Sequence, residues 1–362
     1  MSHINELSNI LNQSLKWHKA RAKFLSQMIC AIITVKSVNL AQVALGFSSL
    51  ACSSSSYRRI QRFLSSFTFS QCLIVKIVKA LFPLPRKVIL IMDRTNWKFG
   101  KIHINLLVIS IGYQGIGLPI FWVNLARAGN SKTPERIATL KRTIDLIGKR
   151  RIKYVLADRE FVGSEWFDWL IASSIRFLIR IKKDTLVTRK SFCCDIPVST
   201  LFKRLKPGKK KSLKEPIKVK NQLVYLSASR NLEGELLIVA TSKYTNKALD
   251  IYKRRWEIET LFGCLKTRGF CLEETKLTKP GRIEKFFFIL AIAFCWSYAI
   301  GIERNEHKSI RVKRDGKFEY SLFRYGYDWA RRLFLNIGGR IRDLVWALQL
   351  FFTKKSWGFS NV

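Results

Sequence analysis

A chain of 362 residues can enclose a sizeable core in two or three structural units. With 48% hydrophobic and 12% aromatic residues, wholesale disorder is excluded. The formal net charge of +40, spread along the chain, favours a polyanionic partner, duplex DNA above all because phosphate contacts release condensed counterions; charge alone does not separate DNA from RNA or an anionic membrane.

Residues 1–80 read as helical, rich in cations and with Glu6 as their one acid. A short helix over 39–45, a Gly/Ser-rich turn and N-cap candidates Ser53 to Ser56 lead into Tyr57-Arg58-Arg59-Ile60-Gln61-Arg62-Phe63. That arrangement predicts a helix-turn-helix with Arg58, Arg59 and Arg62 towards DNA, and a merely solvated basic helix competes equally with it. After Pro83 and Pro85, residues 87–93, 101–111 and 116–123 read as three strands. A helix follows from Thr133-Pro134-Glu135 towards Ile147, then a strand over 152–157 that delivers Asp158, a helix from Ser164 and a strand over 176–181.

Residues 182–245 break the pattern with Lys206-Pro-Gly-Lys209-Lys210-Lys211 and strand-like runs at 216–220, 223–228 and 235–240. Between Arg180 and Lys220 stand fourteen Lys or Arg against three acids, which predicts a phosphate-facing surface that includes Lys209, Lys210 and Lys211. The run 286–300 is almost wholly apolar, short for a bilayer, and predicts a core helix behind a site. Beyond residue 300, the segments 320–329 and 344–352 carry aromatic residues at helical spacing. They suit either a dimer contact or completion of the monomer's core.

Tyr252, Arg255, Glu259 and Lys266 concentrate the chemistry. On one continuous helix they fall within a sector of about 60°, with Glu257 elsewhere and Ile258, Leu261, Phe262 and Leu265 packing inwards. Upstream, two aspartates end apolar strand-like runs, Val88-Ile-Leu-Ile-Met-Asp93 and Ile152-Lys-Tyr-Val-Leu-Ala-Asp158. Alone, such a stripe suits a solvated helix face at least as well as a site; the sequence itself places the two aspartates only at plausible element ends.

These motifs resemble the IS4 family of bacterial insertion-sequence transposases. The spacing Tyr252, two residues, Arg255, three residues, Glu259, six residues, Lys266 matches that family's C-terminal signature. Asp93-Arg94-Thr95 with Trp97, and Asp158-Arg159-Glu160-Phe161, match its first two. The resemblance covers about 85–300. It implies an α/β, RNase H-like mixed-sheet core, interrupted by a β-rich insertion and preceded by a helical DNA-binding region. The divisions that follow are 1–82, 83–181, 182–245, 246–300 and a helical 301–362 that could dimerise. Asp93, Asp158 and Glu259 would be catalytic residues and ligands of Mg2+, with Mn2+ as a substitute. Tyr252, Arg255 and Lys266 would hold DNA phosphates. The implied enzyme cleaves and joins DNA during transposition, binds terminal inverted repeats and target DNA, works as a homodimer in the end complex, and resides with the nucleoid in a bacterial cytoplasm, without a membrane partner. A stand-alone Mg2+-dependent nuclease and a non-catalytic DNA-binding derivative are the alternatives.

Several residues compete for attention on weaker grounds. Thr95 either orients Asp93, touches DNA or stabilises a local turn. Glu160, Glu165 and Asp168 are nearby acids outside the triad, and His103 reads as a structural imidazole. Some relatives stack an insertion-domain tryptophan on a flipped base; here none lies between Trp169 and Trp256, leaving Phe202 and Tyr225 as substitutes. Eight cysteines without a CxxC pair and four histidines argue against a structural zinc site. No GxxxxGK[ST] motif supports ATP-dependent chemistry. Residues 26–35 are better explained by a core helix than by a signal peptide.

Overall fold

Apolar residues at helical spacing bring the N-terminal segments onto one buried surface: α1 (Lys19–Val35), α2 (Leu40–Leu45), α3 (Ser53–Ser66) and α4 (Gln71–Leu81). Met28, Ile29, Ile32 and Ile33 of α1 are fully buried, each worth about 1.5–3 kcal/mol in apolar transfer. The computed structural model describes residue 8 and residues 19–47, 51–188, 195–336 and 341–351. Glu6, His3, His18, Cys193, Cys194, Phe352 and part of the expected Gly/Ser-rich turn lie outside the described residues.

The three runs after Pro85 form an antiparallel meander of β1 (Val88–Phe99), β2 (Ile102–Tyr113) and β3 (Ile116–Asn124). Gly100 and Gly115 occupy its two tight turns at φ 57 and 86, backbone that glycine adopts at little cost. β1 therefore runs six residues past Asp93, and the aspartate sits within the strand rather than at its end. Thr95 and Trp97 are buried while Asn96 and Lys98 are exposed, the alternation of a strand with one covered face. After α5 (Thr133–Ile147), β4 (Ile152–Ala157) pairs in parallel with β1; after α6 (Ser164–Ala172), β5 (Phe177–Ile181) pairs in parallel with β4.

The next segment supplies β6 (Leu186–Thr188), β7 (Ile196–Pro197), β8 (Lys210–Ser212), β9 (Ile217–Val219), β10 (Gln222–Arg230) and β11 (Leu236–Thr241). It extends the same sheet, because β11 joins β5 in antiparallel register with Val239 opposite Arg180. The strand order is β3-β2-β1-β4-β5-β11-β10-β9-β6-β7, with β8 on β10. The result is a mixed parallel and antiparallel sheet flanked by helices.

Downstream lie α7 (Ala248–Lys253), α8 (Trp256–Leu265), α9 (Pro280–His307), α10 (Leu322–Leu335) and α11 (Ile341–Gln349). α9 is longer than the apolar run 286–300 predicted. By length and composition it could cross a membrane, yet 89% of its apolar window is buried inside the protein. It lies against β3, where Trp122 Nε1 donates to Glu284 O (3.0 Å) and the Asn124 N–H to Glu284 Oε1 (2.7 Å). α10 crosses α9 closely at Gly301 and Gly326, where a Cβ on either would meet the other helix's backbone. Several of the C-terminal aromatic residues pack inside the monomer, while Tyr320 stays exposed. Phe323, Tyr327 and Trp329 are buried, Leu344 and Leu348 likewise, and Trp296 Nε1 donates to Ala347 O (2.9 Å). Lys36 pairs with Asp328 (2.8 Å) and Arg331 Nε donates to Thr34 O (2.7 Å), so α10 closes over the end of α1.

Candidate active site

Parallel register brings the two aspartates together. Met92 of β1 is aligned with Ala157 of β4, so Asp93 and Asp158 are each one residue beyond that pair, on strands about 5 Å apart. β4 ends there while β1 continues, which opens a crevice at the strands' carboxyl ends. One strand further, Ile179 is aligned with Ala157, placing Arg180 beside Asp158 at 3.9 Å. Sequence reasoning did not single out Arg180 as a site residue; its signal was a lone cation in the apolar run Phe-Leu-Ile-Arg-Ile.

The Tyr252–Lys266 segment is two helices rather than one. The chain turns at Arg254 and Arg255, where Arg255 N–H donates to Tyr252 O (2.9 Å) and Glu257 N–H to Arg254 O (3.0 Å). Those tighter turns still leave the polar stripe facing the sheet. Arg255 Nη1 lies 3.0 Å from Asp93 Oδ2 and 3.2 Å from Glu259 Oε1, joining the two carboxylates through one guanidinium. Tyr252 reaches Asp158 Oδ1 at 3.5 Å. Lys266 Nζ donates to Asn96 O (3.2 Å) and pairs with Glu273 (2.8 Å). Glu257 faces away, paired with Arg254 (2.9 Å).

Burial sets the electrostatics. The Asp93 carboxyl is pushed up to about 7 by burial, against the opposing pull of Arg255. Burial and the charge of Asp158 raise the Tyr252 phenol well above its ordinary range, so it stays a protonated donor. Asp93 is only 13% exposed at its side chain and Arg255 7%, whereas Glu259 is 42% exposed. A second pair holds the crevice open. Arg94, next to Asp93, grips Glu160, two residues after Asp158, through Nε and Nη2, both at 2.5 Å. Its Nη1 also donates to Asn105 Oδ1 and Gly129 O. The bonds from Glu160 hold the Arg94 guanidinium still more firmly protonated. Arg136, buried, donates to Glu160 O (2.9 Å) from the other side. Glu160 is thus a structural brace between the segment that follows Asp158 and the strand that carries Asp93.

Other sequence candidates lie apart. Thr95 is buried and its hydroxyl has no hydrogen-bond partner among the described residues, so it does not orient Asp93. His103 is exposed at the β1–β2 hairpin, contrary to a structural imidazole, and Glu165 and Asp168 are exposed as well. Phe202 is buried and unable to stack on a base, while Tyr225 meets Tyr244 edge-on at 5.8 Å. Lys209, Lys210 and Lys211 are exposed, with Lys210 paired to Asp250 of α7 (2.6 Å). Arg58, Arg59 and Arg62 stand on exposed positions of α3, and Arg59 lies over the Phe24 ring at 5.2 Å.

A groove of about 940 Å3 opens beside Asp158, lined in part by Arg159, Arg180, Lys182, Lys183 and Arg230. The donor set around the crevice is carboxylate oxygen, the chemistry a hard dication takes, and Asp93 is held buried within it. Among the described residues no three such side chains are already gathered into a closed metal cage; the Arg255 guanidinium lies between two of them.

No curated protein matches the chain. Among solved structures, it is similar to the piggyBac transposase synaptic complex with hairpin DNA. That likeness has 12% identity and a TM-score of 0.45, covering 97% of this chain and 83% of that one, and is too loose to bear on function. The model of the transposase DDE domain matches residues 84–296, which hold both aspartates, the bridging Arg255 and Glu259. The chain therefore belongs to the transposase DDE domain family.

Proposed function

We propose that this protein is a DNA transposase of the IS4 type with an RNase H-like core, in which Asp93, Asp158 and Glu259 form the catalytic triad. The observation that carries the reading is the single guanidinium of Arg255 joining Asp93 to Glu259 while Tyr252 reaches Asp158. A signature spaced over fifteen residues thereby converges on two aspartates brought together by strand register. Family membership supplies the DNA-acting context, and the net charge of +40 suits the substrate.

Asp93, Asp158 and Glu259 would hold Mg2+, or Mn2+ in its place. When bound, the metal supplies Lewis-acid polarisation of phosphoryl oxygens. Arg255 and Lys266 grip phosphates on either side of the scissile bond, Arg255 through a two-pronged contact. Tyr252, kept protonated, donates its hydroxyl hydrogen bond. Water attacks phosphorus at the element's end, a new P–O bond forms as the P–O3′ bond breaks, and the departing 3′-oxygen takes a proton. That 3′-hydroxyl then attacks target DNA in the same way, so no protein–DNA bond is made. The reading also entails terminal inverted repeats, two copies of the chain at paired ends, and action at the nucleoid of a bacterial cytoplasm.

The test compares wild type with Asp93→Ala, Asp158→Ala and Glu259→Ala for Mg2+-dependent nicking and gel-shift binding. The DNA should carry the repeats flanking the gene. Each variant is expected to lose nearly all cleavage and keep most binding. Near-normal nicking by folded Glu259→Ala would sink the assignment.

A further inference from the structure

The solvent face of α3 carries no acid. Its exposed positions are Ser53, Ser54, Ser55, Arg58, Arg59, Arg62, Ser65 and Ser66, while Ser56, Ile60 and Leu64 are buried. Small serines and long guanidinium groups leave such a helix slim enough to enter a major groove about 12 Å wide, where arginine reads guanine edges. α3 does not stand alone on a tethered module, however. The amino end of α9 lies beside it, with Lys285 Nζ donating to Ser65 O at 2.9 Å.

Two depressions follow that seam. One, of about 500 Å3, is lined by Arg58, Gln61, Arg62, Ser65 and Arg282. The other, of about 280 Å3, shares Gln61 and Arg282 and adds Tyr57, Lys276, Thr278 and Lys279. Among the described residues, Arg58, Arg62, Lys276, Lys279 and Arg282 make no ion pair. Burial and the charge of Arg282 lower the affinity of Lys285 for its proton, with no acid offsetting them. A cluster of uncompensated cations is costly to assemble and is relieved by an anion.

The seam also sits at the site's end of the sheet. Glu284 is bonded to Asn124, Asn124 is aligned with Leu106, and Leu106 with Thr95, two residues beyond Asp93. Lys266 and Glu273 lie along the chain between Glu259 and Lys276.

We propose that α3 and the 276–285 segment form one composite surface for duplex DNA. In it, Arg58 and Arg62 face the major groove, and Lys276, Lys279 and Arg282 hold the adjoining sugar–phosphate backbone. This rests on the transposase reading and adds to it a binding surface built half from the N-terminal helices and half from the region that follows the catalytic glutamate. Because both halves are packed on α9, DNA seated on α3 is presented to the crevice in a fixed register.

The test is binding without cleavage. Full-length protein in EDTA is titrated into a labelled 40-base-pair duplex bearing the terminal repeat, and into a random duplex of equal length, at several salt concentrations. Arg282→Gln and the pair Lys276→Gln/Lys279→Gln should weaken both duplexes several-fold. They should also make the salt dependence shallower, by about one unit of slope per cation removed. Arg58→Gln should in addition erode the preference for the repeat. Arg282→Glu, a charge reversal at a half-buried position whose folding is checked by its melting curve, should act more strongly than Arg282→Gln. Unchanged affinity and slope in all the 276–282 variants, with Arg58→Gln still impaired, would overturn the composite surface. Because no metal is present, the outcome is independent of nicking: slope changes in a protein whose triad proves inactive would uphold the surface while the catalytic reading fell.

Discussion

Cations serve opposite purposes in two regions of this molecule. At the crevice, Arg94, Arg136 and Arg255 are largely withdrawn from water and bonded to acids or carbonyls, and each fixes the position of a carboxylate-bearing segment. Along α3 and the start of α9, Arg58, Arg62 and Arg282 are left without acidic partners. The difference teaches that a net charge of +40 is not one property. Part of it is internal scaffolding that composes a candidate site, and part is surface left without acidic partners.

The most damaging way to break the scaffolding set is Arg255→Ala. It removes the one group shared by Asp93 and Glu259, and cleavage is expected to fall by about 10²–10³, the scale of losing a positioned charge-stabilising donor. Direct titration with Mn2+ should still show metal binding, and Arg255→Lys should recover only part of the rate because it lacks the fork. Complete loss of metal occupancy in folded Arg255→Ala would make this residue part of the metal site rather than a phosphate grip.

A smaller effect separates the burial of Asp93 from its pairing. Burial raises its carboxyl from the ordinary 3.8 to about 7, so between those values the folded protein binds a proton that the unfolded chain does not. Stability from this group is therefore fullest below the lower value and is lost as pH rises towards the higher one. Asp93→Asn carries no such loss. The melting temperature of the variant relative to wild type should climb by a few degrees from pH 4 to pH 7.5. A flat difference across that window would mean that Arg255 fully compensates the buried charge.

The smallest effect belongs to Lys209, Lys210 and Lys211. Replacing all three by Ala should reduce DNA affinity modestly for any sequence and flatten its salt dependence, with the Lys210–Asp250 pair contributing little because both partners are exposed. A sequence-selective loss would move these lysines from general attraction to recognition.

Much of the site was legible in sequence because its parts obey local rules. The apolar runs before Asp93 and Asp158 announced β1 and β4, and the four-residue spacing kept Tyr252, Arg255 and Glu259 on one side despite the turn at Arg254. That turn left no signal, since it contains neither glycine nor proline. The continuation of β1 through Phe99 was present as the alternation of Thr95 and Trp97 with Asn96 and Lys98, but polar residues obscured it. The Arg94–Glu160 brace could not be read, because it depends on strand register across 66 positions. Nor could the joining of β11 to β5, which is a choice of sheet edge rather than a property of either segment.

The closure of α10 over α1 has a consequence during synthesis. The partners of Lys36 and Thr34, Asp328 and Arg331, lie 292 and 297 residues downstream. At ordinary translation rates they emerge about 15 to 60 s later. Throughout that interval the apolar face of α1 lacks its final cover, and the cations of α3 are already outside the ribosome. A nascent chain of this protein thus exposes an apolar face on α1 and a row of cations on α3 together, until α10 arrives and completes the packing.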